Sequence, residues 1–276
     1  MIEKVFAFIL GSCVGSFLNV CIWRLPQNIS IIKPRSYCPH CNAMIGWYHN
    51  IPLLSYWWLK RRCANCGQPI ALGYFLVELV TAGLFLVLYI KFGFTAYFFK
   101  FAFFFCMLIL MSCIDVRYHA VPEILPLLGI GIGVCWSFGE TYFWFRQGGP
   151  TVLPGDLPFI LAFRGLIFGL GFTYLFKLCA DLGLRCYLHW RKLDSIEGET
   201  ESLGLGDVDL MGMIGVFIGI KLSFIAFFAA PVFALLYVLF ALFFKRSHLV
   251  PYIPYLSVAA FFAFLWGNRI LMYFNL

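Results

Sequence analysis

The sequence predicts an all-α polytopic membrane protein of about eight transmembrane helices, carrying a small cytoplasmic zinc-binding loop domain. Three observations predict it. The 276 residues are 62% hydrophobic and only 12% charged, where soluble chains carry about a quarter charged residues. Apolar runs long enough to cross a bilayer recur along the chain. Lysine and arginine cluster between alternate runs, as the positive-inside rule expects. The mean hydropathy of +0.89 excludes a soluble domain that hides its apolar side chains in one core. The formal net charge of +7 raises the question of nucleic acid. The bases sit beside apolar runs, so the expected partner is the lipid bilayer and not nucleic acid.

The runs are 4–23, 73–91, 96–114, 121–138, 157–179, 207–220, 222–244 and 251–273. The longer ones meet the roughly 20-residue requirement for a spanning helix. The run 207–220 is short and glycine-rich, and spans only with its flanks. The first run has no small-residue cleavage site, and Arg24 follows its apolar core, so it reads as an uncleaved span. Loop 24–72 holds Arg24, Lys33, Arg35, Lys60, Arg61 and Arg62; loop 180–206 holds Arg185, Arg191 and Lys192; the turn after 244 holds Lys245 and Arg246. Eight spans put these three loops on one side. That side is expected to be cytoplasmic, with both termini on the other face.

Six of the eleven cysteines, Cys13, Cys21, Cys106, Cys113, Cys135 and Cys179, stand alone in apolar runs. There cysteine acts as a small hydrophobe and needs no function. Cys186 lies in a polar stretch and is left without a role. The other four form CPHC (38–41) and CANCG (63–67) in the first loop. Two CxxC pairs at this separation match a zinc site built from four cysteines, and Gly67 suits a turn needing φ > 0. Two disulfides, or a redox pair, use the same residues. A reducing cytoplasm favours metal. With Cys38, Cys41, Cys63 and Cys66 as ligands the site is closed, hence structural zinc. His40 and His49 read as plain loop residues.

Two aspartates stand at membrane boundaries. Asp115 ends the third span in MSCIDVRYHAVPE (111–123), and Asp207 opens the sixth in SLGLGDVDLMGMIG (202–215). The topology puts both on the cytoplasmic side. Ionisable groups at membrane depth are costly and usually functional. Two carboxylates brought together share a proton and can activate water, one as base and the other as acid. Gly204 and Gly206 allow an irregular backbone before the helix, whose N-terminal dipole favours the Asp207 anion. An ordinary N-cap aspartate makes the same local pattern. Glu78, in the second span, needs a partner such as Arg24 or a polar group of the bundle. Asn19 reads as an interhelical hydrogen-bonding residue.

GSFLNVCIWRLP from Gly15, YCPHC, NIPLLSYWWLKRRCANCG (50–67), YFLVELVTA (74–82), IDVRYHAVPE and GLGDVDLMGMIGVFIG together closely resemble the type IV prepilin peptidase family. The likeness covers nearly the whole chain in the expected order. It implies a GxGD membrane aspartic protease of the bacterial inner membrane, with active sites facing the cytoplasm. Such an enzyme cuts the basic leader from type IV prepilins and type II secretion pseudopilins. It then N-methylates the new N-terminal residue with S-adenosylmethionine. The family's protease aspartates fall on Asp115 and Asp207, and its cysteines on Cys38, Cys41, Cys63 and Cys66. The implied division is a first transmembrane helix, 1–23; a four-cysteine zinc loop, 24–72, as methyltransferase region; and a peptidase domain with seven transmembrane helices, 73–276.

The chain departs from the family pattern at Glu123, where Asn or Asp is usual, and at Asp209, where Lys is common. Asp209 adds a negative charge two residues from Asp207 and puts the tuning of the pair in doubt. Glu78 reads either as a contact for the pilin amine or as a structural bridge. Lys60, Arg61 and Arg62 read either as anion contacts or as a positive-inside cluster. The acidic run Asp194, Glu197, Glu199 and Glu201 either attracts the basic leader or is a solvated loop. Two other readings stand beside the bifunctional enzyme. One is a protease without methyl transfer. The other is a transporter or scaffold whose carboxylates bind ions or relay protons.

Overall fold

The computed structural model describes residues 1–147, 154–191, 203–243 and 251–273. Its α-helices are α1 (Ile2–Arg24), α2 (Leu54–Trp58), α3 (Leu72–Phe92), α4 (Ala96–Tyr118), α5 (Ile124–Arg146), α6 (Pro158–Arg191), α7 (Leu205–Phe243) and α8 (Ile253–Tyr273). Among the described residues the only β pairings are two isolated bridges. Seven helices are long and apolar enough to cross a membrane. The chain divides into two compact units, Met1–Pro122 and Glu123–Leu276.

In the first unit α1 and α3 run antiparallel at close range. Glycine makes this possible: a Cβ on Gly11 would stand 2.7 Å from the Phe85 Cβ, and one on Gly15 would stand 2.7 Å from the Glu78 Cα. Small residues four apart let membrane helices touch backbone to backbone. One turn further on, Asn19 Nδ2 donates to the Tyr74 carbonyl at 2.9 Å, the interhelical bond its position predicted. Phe98 and Phe104 of α4 are fully buried, and Phe98 meets Phe85 edge-on at 5.5 Å.

The second unit is organised by α6 and α7. As a single rod, the 39 residues of α7 would be about 58 Å long at 1.5 Å per residue, nearly twice a bilayer core of about 30 Å. It is not a single rod. Gly219 takes φ 77°, ψ 176°, a conformation open essentially to glycine alone. Before the break, numbers fall along α7 as they rise along α6: Gly165 faces Gly215, Gly169 faces Met211, and Lys177 reaches Leu203. After it, Phe224 lies against Phe168, and Phe227 against Phe172 and Phe176. A straight helix would have carried residue 224 past the start of α6, so the chain turns back at Gly219. The expected spans 207–220 and 222–244 are therefore the two limbs of α7, and the apolar limbs number eight among the described residues.

The expected loop at 180–206 begins later than its polarity suggested. α6 continues as helix through Asp181, Arg185 and His189 to Arg191, because helix propensity needs no apolar face once the chain leaves the bilayer. The acidic run Asp194–Glu201 and the basic turn at Lys245 and Arg246 lie outside the described residues.

The α6–α7 seam yields a stability prediction. A Cβ on Gly165 would stand 2.0 Å from the Gly215 carbonyl oxygen, a backbone atom that cannot rotate away. Gly165→Ala is expected to destabilise the second unit by about 1–3 kcal/mol through overpacking, read as a lowered thermal midpoint in detergent. Gly171→Ala, on the same helix with nothing within 4 Å, should leave the midpoint in place.

Candidate active site and metal centre

The cysteine loop is two matched turns. Cys38 N–H donates to the Ala43 carbonyl and Asn42 N–H to the Cys38 carbonyl; Cys63 N–H donates to the Gln68 carbonyl and Gly67 N–H to the Cys63 carbonyl. The bridges Tyr37–Met44 and Arg62–Pro69 close the two turns in the same way. The residue after each second cysteine has positive φ, Asn42 at 54° and Gly67 at 71°. The expectation for Gly67 holds, and Asn42 does the same work with a residue that tolerates this region.

The four sulfurs lie within 4.8 Å of one another, with Cys38 Sγ and Cys66 Sγ 3.9 Å apart. Metal–sulfur bonds of about 2.3 Å in a tetrahedron give sulfur–sulfur edges of about 3.8 Å, so the cluster has the dimensions to hold a metal ion. The Cys66 and Asn65 amides point at the Cys63 sulfur and bring its pKa down to about 7. The Ala43 amide does the same for Cys41, whose pKa is lowered. Thiolate is the metal-binding form. Cys66 moves the other way, to about 11: the Gln68 amide lowers it, but desolvation and the three neighbouring sulfurs outweigh that. Four mutually repelling thiolates are what a dication would reconcile.

This loop roofs a cavity of about 660 Å³ over α1 and α3, lined among others by Asn19, Arg24, Tyr48, Tyr56, Glu78 and Arg117. The volume falls in the range of small-molecule sites, roughly 300–1,000 Å³. Arg24 is buried, and its guanidinium donates to the Ser30 and Arg35 carbonyls and faces the Tyr37 ring. Glu78 finds a polar group of the bundle, the Ser16 side chain of α1, and a backbone amide: Leu53 N–H donates to Glu78 Oε2 at 2.8 Å. Leu53 has φ 62°, ψ −46°, and Leu54 N–H closes on the Pro52 carbonyl at 2.7 Å. That is a γ-turn of the rare, strained hand. The Glu78 carboxylate pins the residue at its apex.

Asp115 is a buried residue of the last turn of α4, in the first unit; its carbonyl caps the helix by accepting from His119 N–H at 2.9 Å. Asp207 is in the second unit. α7 begins at Leu205, so Asp207 is its third residue, in the first turn of the helix. Its carboxylate lies 3.5 Å from where a side chain on Gly204 would begin, an ordinary contact distance. Burial, and then the Asp207 charge, push Tyr252 up to about 12, which puts this tyrosine beside Asp207. Glu123 and Asp209 are electrostatic neighbours of each other.

A family model described as the bacterial peptidase A24 N-terminal domain matches residues 9–92. One described as the type IV leader peptidase family matches residues 102–239, half the chain. The chain belongs to the type IV leader peptidase family. A prepilin leader peptidase/N-methyltransferase of Bacillus subtilis is 30% identical over 97% of this chain and 96% of its own length. One of Myxococcus xanthus is 35% identical over 78% of this chain, a match spanning 56% of that protein. A type 4 prepilin-like proteins leader peptide-processing enzyme of Escherichia coli is 32% identical over 78% of this chain and 77% of its own length. No solved structure matches. This leader peptidase family member is thus a polytopic membrane enzyme, and the expectation of paired peptidase and N-methyltransferase activities agrees with its relatives' names.

Three residues carry more than their sequence context suggested. Arg117, two places after Asp115, reaches the cavity. Leu53 carries no turn signal at all. Lys177 is a lysine in an apolar run, and that alone was a signal.

Proposed function

We propose that the chain is a bifunctional enzyme of the bacterial inner membrane that works on its cytoplasmic side. As an aspartic endopeptidase it removes the basic leader from type IV prepilins and type II secretion pseudopilins. As a methyltransferase it then N-methylates the exposed residue. Asp115 and Asp207 supply the peptidase carboxylates. One takes a proton from water as the water oxygen bonds the scissile carbonyl carbon; the other, protonated, donates to the carbonyl oxygen. The carbon–nitrogen bond then breaks, and the proton passes to the leaving amine. The pilin segment is apolar and the leader basic, so the scissile bond lies at the membrane boundary where these residues fall in the sequence.

The observation that carries the second activity is the cavity of the first unit, whose lining includes no residue after Arg117. Zinc on Cys38, Cys41, Cys63 and Cys66 is structural there and fixes the roof. S-adenosylmethionine, when bound, supplies a cationic methyl donor. The aromatic faces of Tyr48 and Tyr56 suit a sulfonium and an adenine, and Asn19 offers polar contacts. Glu78 is placed to hold the pilin amine and take the proton it loses on methylation. Glu78→Gln keeps an acceptor for Leu53 but loses the charge. It is expected to lower methylation of a leaderless pilin peptide at least about tenfold with leader cleavage unchanged, followed by product mass spectrometry. Native methylation by this variant would remove Glu78 from the chemistry.

A further inference from the structure

One face of α6 carries Gly165, Gly169, Thr173, Lys177 and Asp181, each four residues from the last, so they form a single stripe along the helix. This stripe lies against the first limb of α7. Gly165 meets Gly215, Gly169 meets Met211, and Lys177 meets Leu203. The antiparallel register places Thr173 level with Asp207.

Lys177 is buried, at 6% exposure. Its ammonium donates to the Leu203 carbonyl at 2.7 Å and pairs with Asp181 Oδ2 at 3.2 Å. A buried ammonium is costly unless paired and hydrogen-bonded, and here it has both. The bond falls on the residue directly before Gly204-Leu205-Gly206-Asp207. Two glycines leave that approach conformationally loose. A tether from a rigid helix removes the looseness where Asp207 enters α7.

Thr173 is fully buried, and its hydroxyl has no partner among the described residues. Other hydroxyls of the chain return their proton to their own helix: Thr81 to the Val77 carbonyl, Thr141 to Ser137, Ser223 to Gly219. A buried, unspent donor at the level of a carboxylate calls for an explanation.

We propose that Lys177 and Thr173 are positioning residues for Asp207, the lysine fixing the backbone that delivers it and the threonine hydroxyl serving its carboxylate or the water it activates. The inference rests on the peptidase role of Asp207. Misplacement of a reacting group by about 1 Å costs on the order of 100-fold.

The test uses the full chain in detergent with a prepilin substrate, comparing Lys177→Gln, Lys177→Arg, Thr173→Val, Thr173→Ser and Asp207→Asn. Methylation of a leaderless pilin is the second readout. Lys177→Gln and Thr173→Val should each lower kcat for cleavage by about 10- to 100-fold, with KM and methylation little changed. Lys177→Arg and Thr173→Ser should restore most of the rate. If both disruptive variants cleave at the native rate while Asp207→Asn is inactive, the positioning inference is wrong and Asp207 stands. Native cleavage by Asp207→Asn removes the peptidase role and this inference with it. Loss of cleavage and methylation together, without rescue by the conservative variants, would make both residues merely structural and overturn the proposal.

Discussion

Asp207→Asn, and separately Asp115→Asn, is expected to lower leader cleavage by about 10²–10⁴-fold while leaving methylation of a leaderless pilin intact. Asparagine keeps the size of the side chain and removes its ability to exchange a proton. In a pair that shares one proton, the two carboxylates act as a unit, so each substitution should cost about as much as both together. Asp207 sits in the first turn of a helix that begins at Leu205. There the dipole favours its ionised form, so the neutral amide should cost no more than about 1 kcal/mol of stability and still fold. Initial rates on a prepilin substrate, with the thermal midpoint measured on the same samples, separate lost chemistry from lost structure.

The second large effect concerns the metal. Cys38 is the most buried of the four cysteines, at 6% exposure, and it lines the cavity together with Tyr37 and Arg24. Cys38→Ser is expected to lower bound zinc from about one ion per chain to a small fraction of that. Structural zinc in small modules carries apparent binding energies of about 10–16 kcal/mol, and this energy is folding energy. Without the ion the two turns lose their shared anchor, and with it the roof over Glu78. Methylation should fall at least about tenfold, and cleavage should fall far less. Metal analysis of the purified chain with both activity assays reads this out. Native methylation by a zinc-free chain would rule out a structural metal in that activity.

The membrane architecture was legible because spanning runs announce themselves by length. Even the turn within α7 was nearly visible, since the two apolar runs part at Lys221, two residues after the break at Gly219. The extension of α6 to Arg191 was not, since hydropathy is silent once a helix leaves the bilayer. The cysteine centre was legible because spacing alone dictates which turns can offer paired thiolates. The Ser16 side chain that meets Glu78 is the kind of polar bundle group its position called for, but much of the candidate site depends on backbone groups that no side-chain pattern encodes. Glu78 answers to the Leu53 amide, and leucine has no preference for a γ-turn. Lys177 answers to a carbonyl 26 residues away. Arg24 was a reasonable partner for Glu78 by charge, but its guanidinium is occupied by two carbonyls of the loop.

The central claim is that one chain cleaves and methylates at two separately mutable places. The most direct measurement mixes two defective chains, Asp207→Asn and Glu78→Gln, with prepilin and S-adenosylmethionine, and weighs the products. Alone, the first should leave prepilin intact, and the second should release leaderless, unmethylated pilin. Together they should yield leaderless, methylated pilin, since each supplies what the other lacks. A mixture that still yields only unmethylated pilin, or only intact prepilin, would contradict the account.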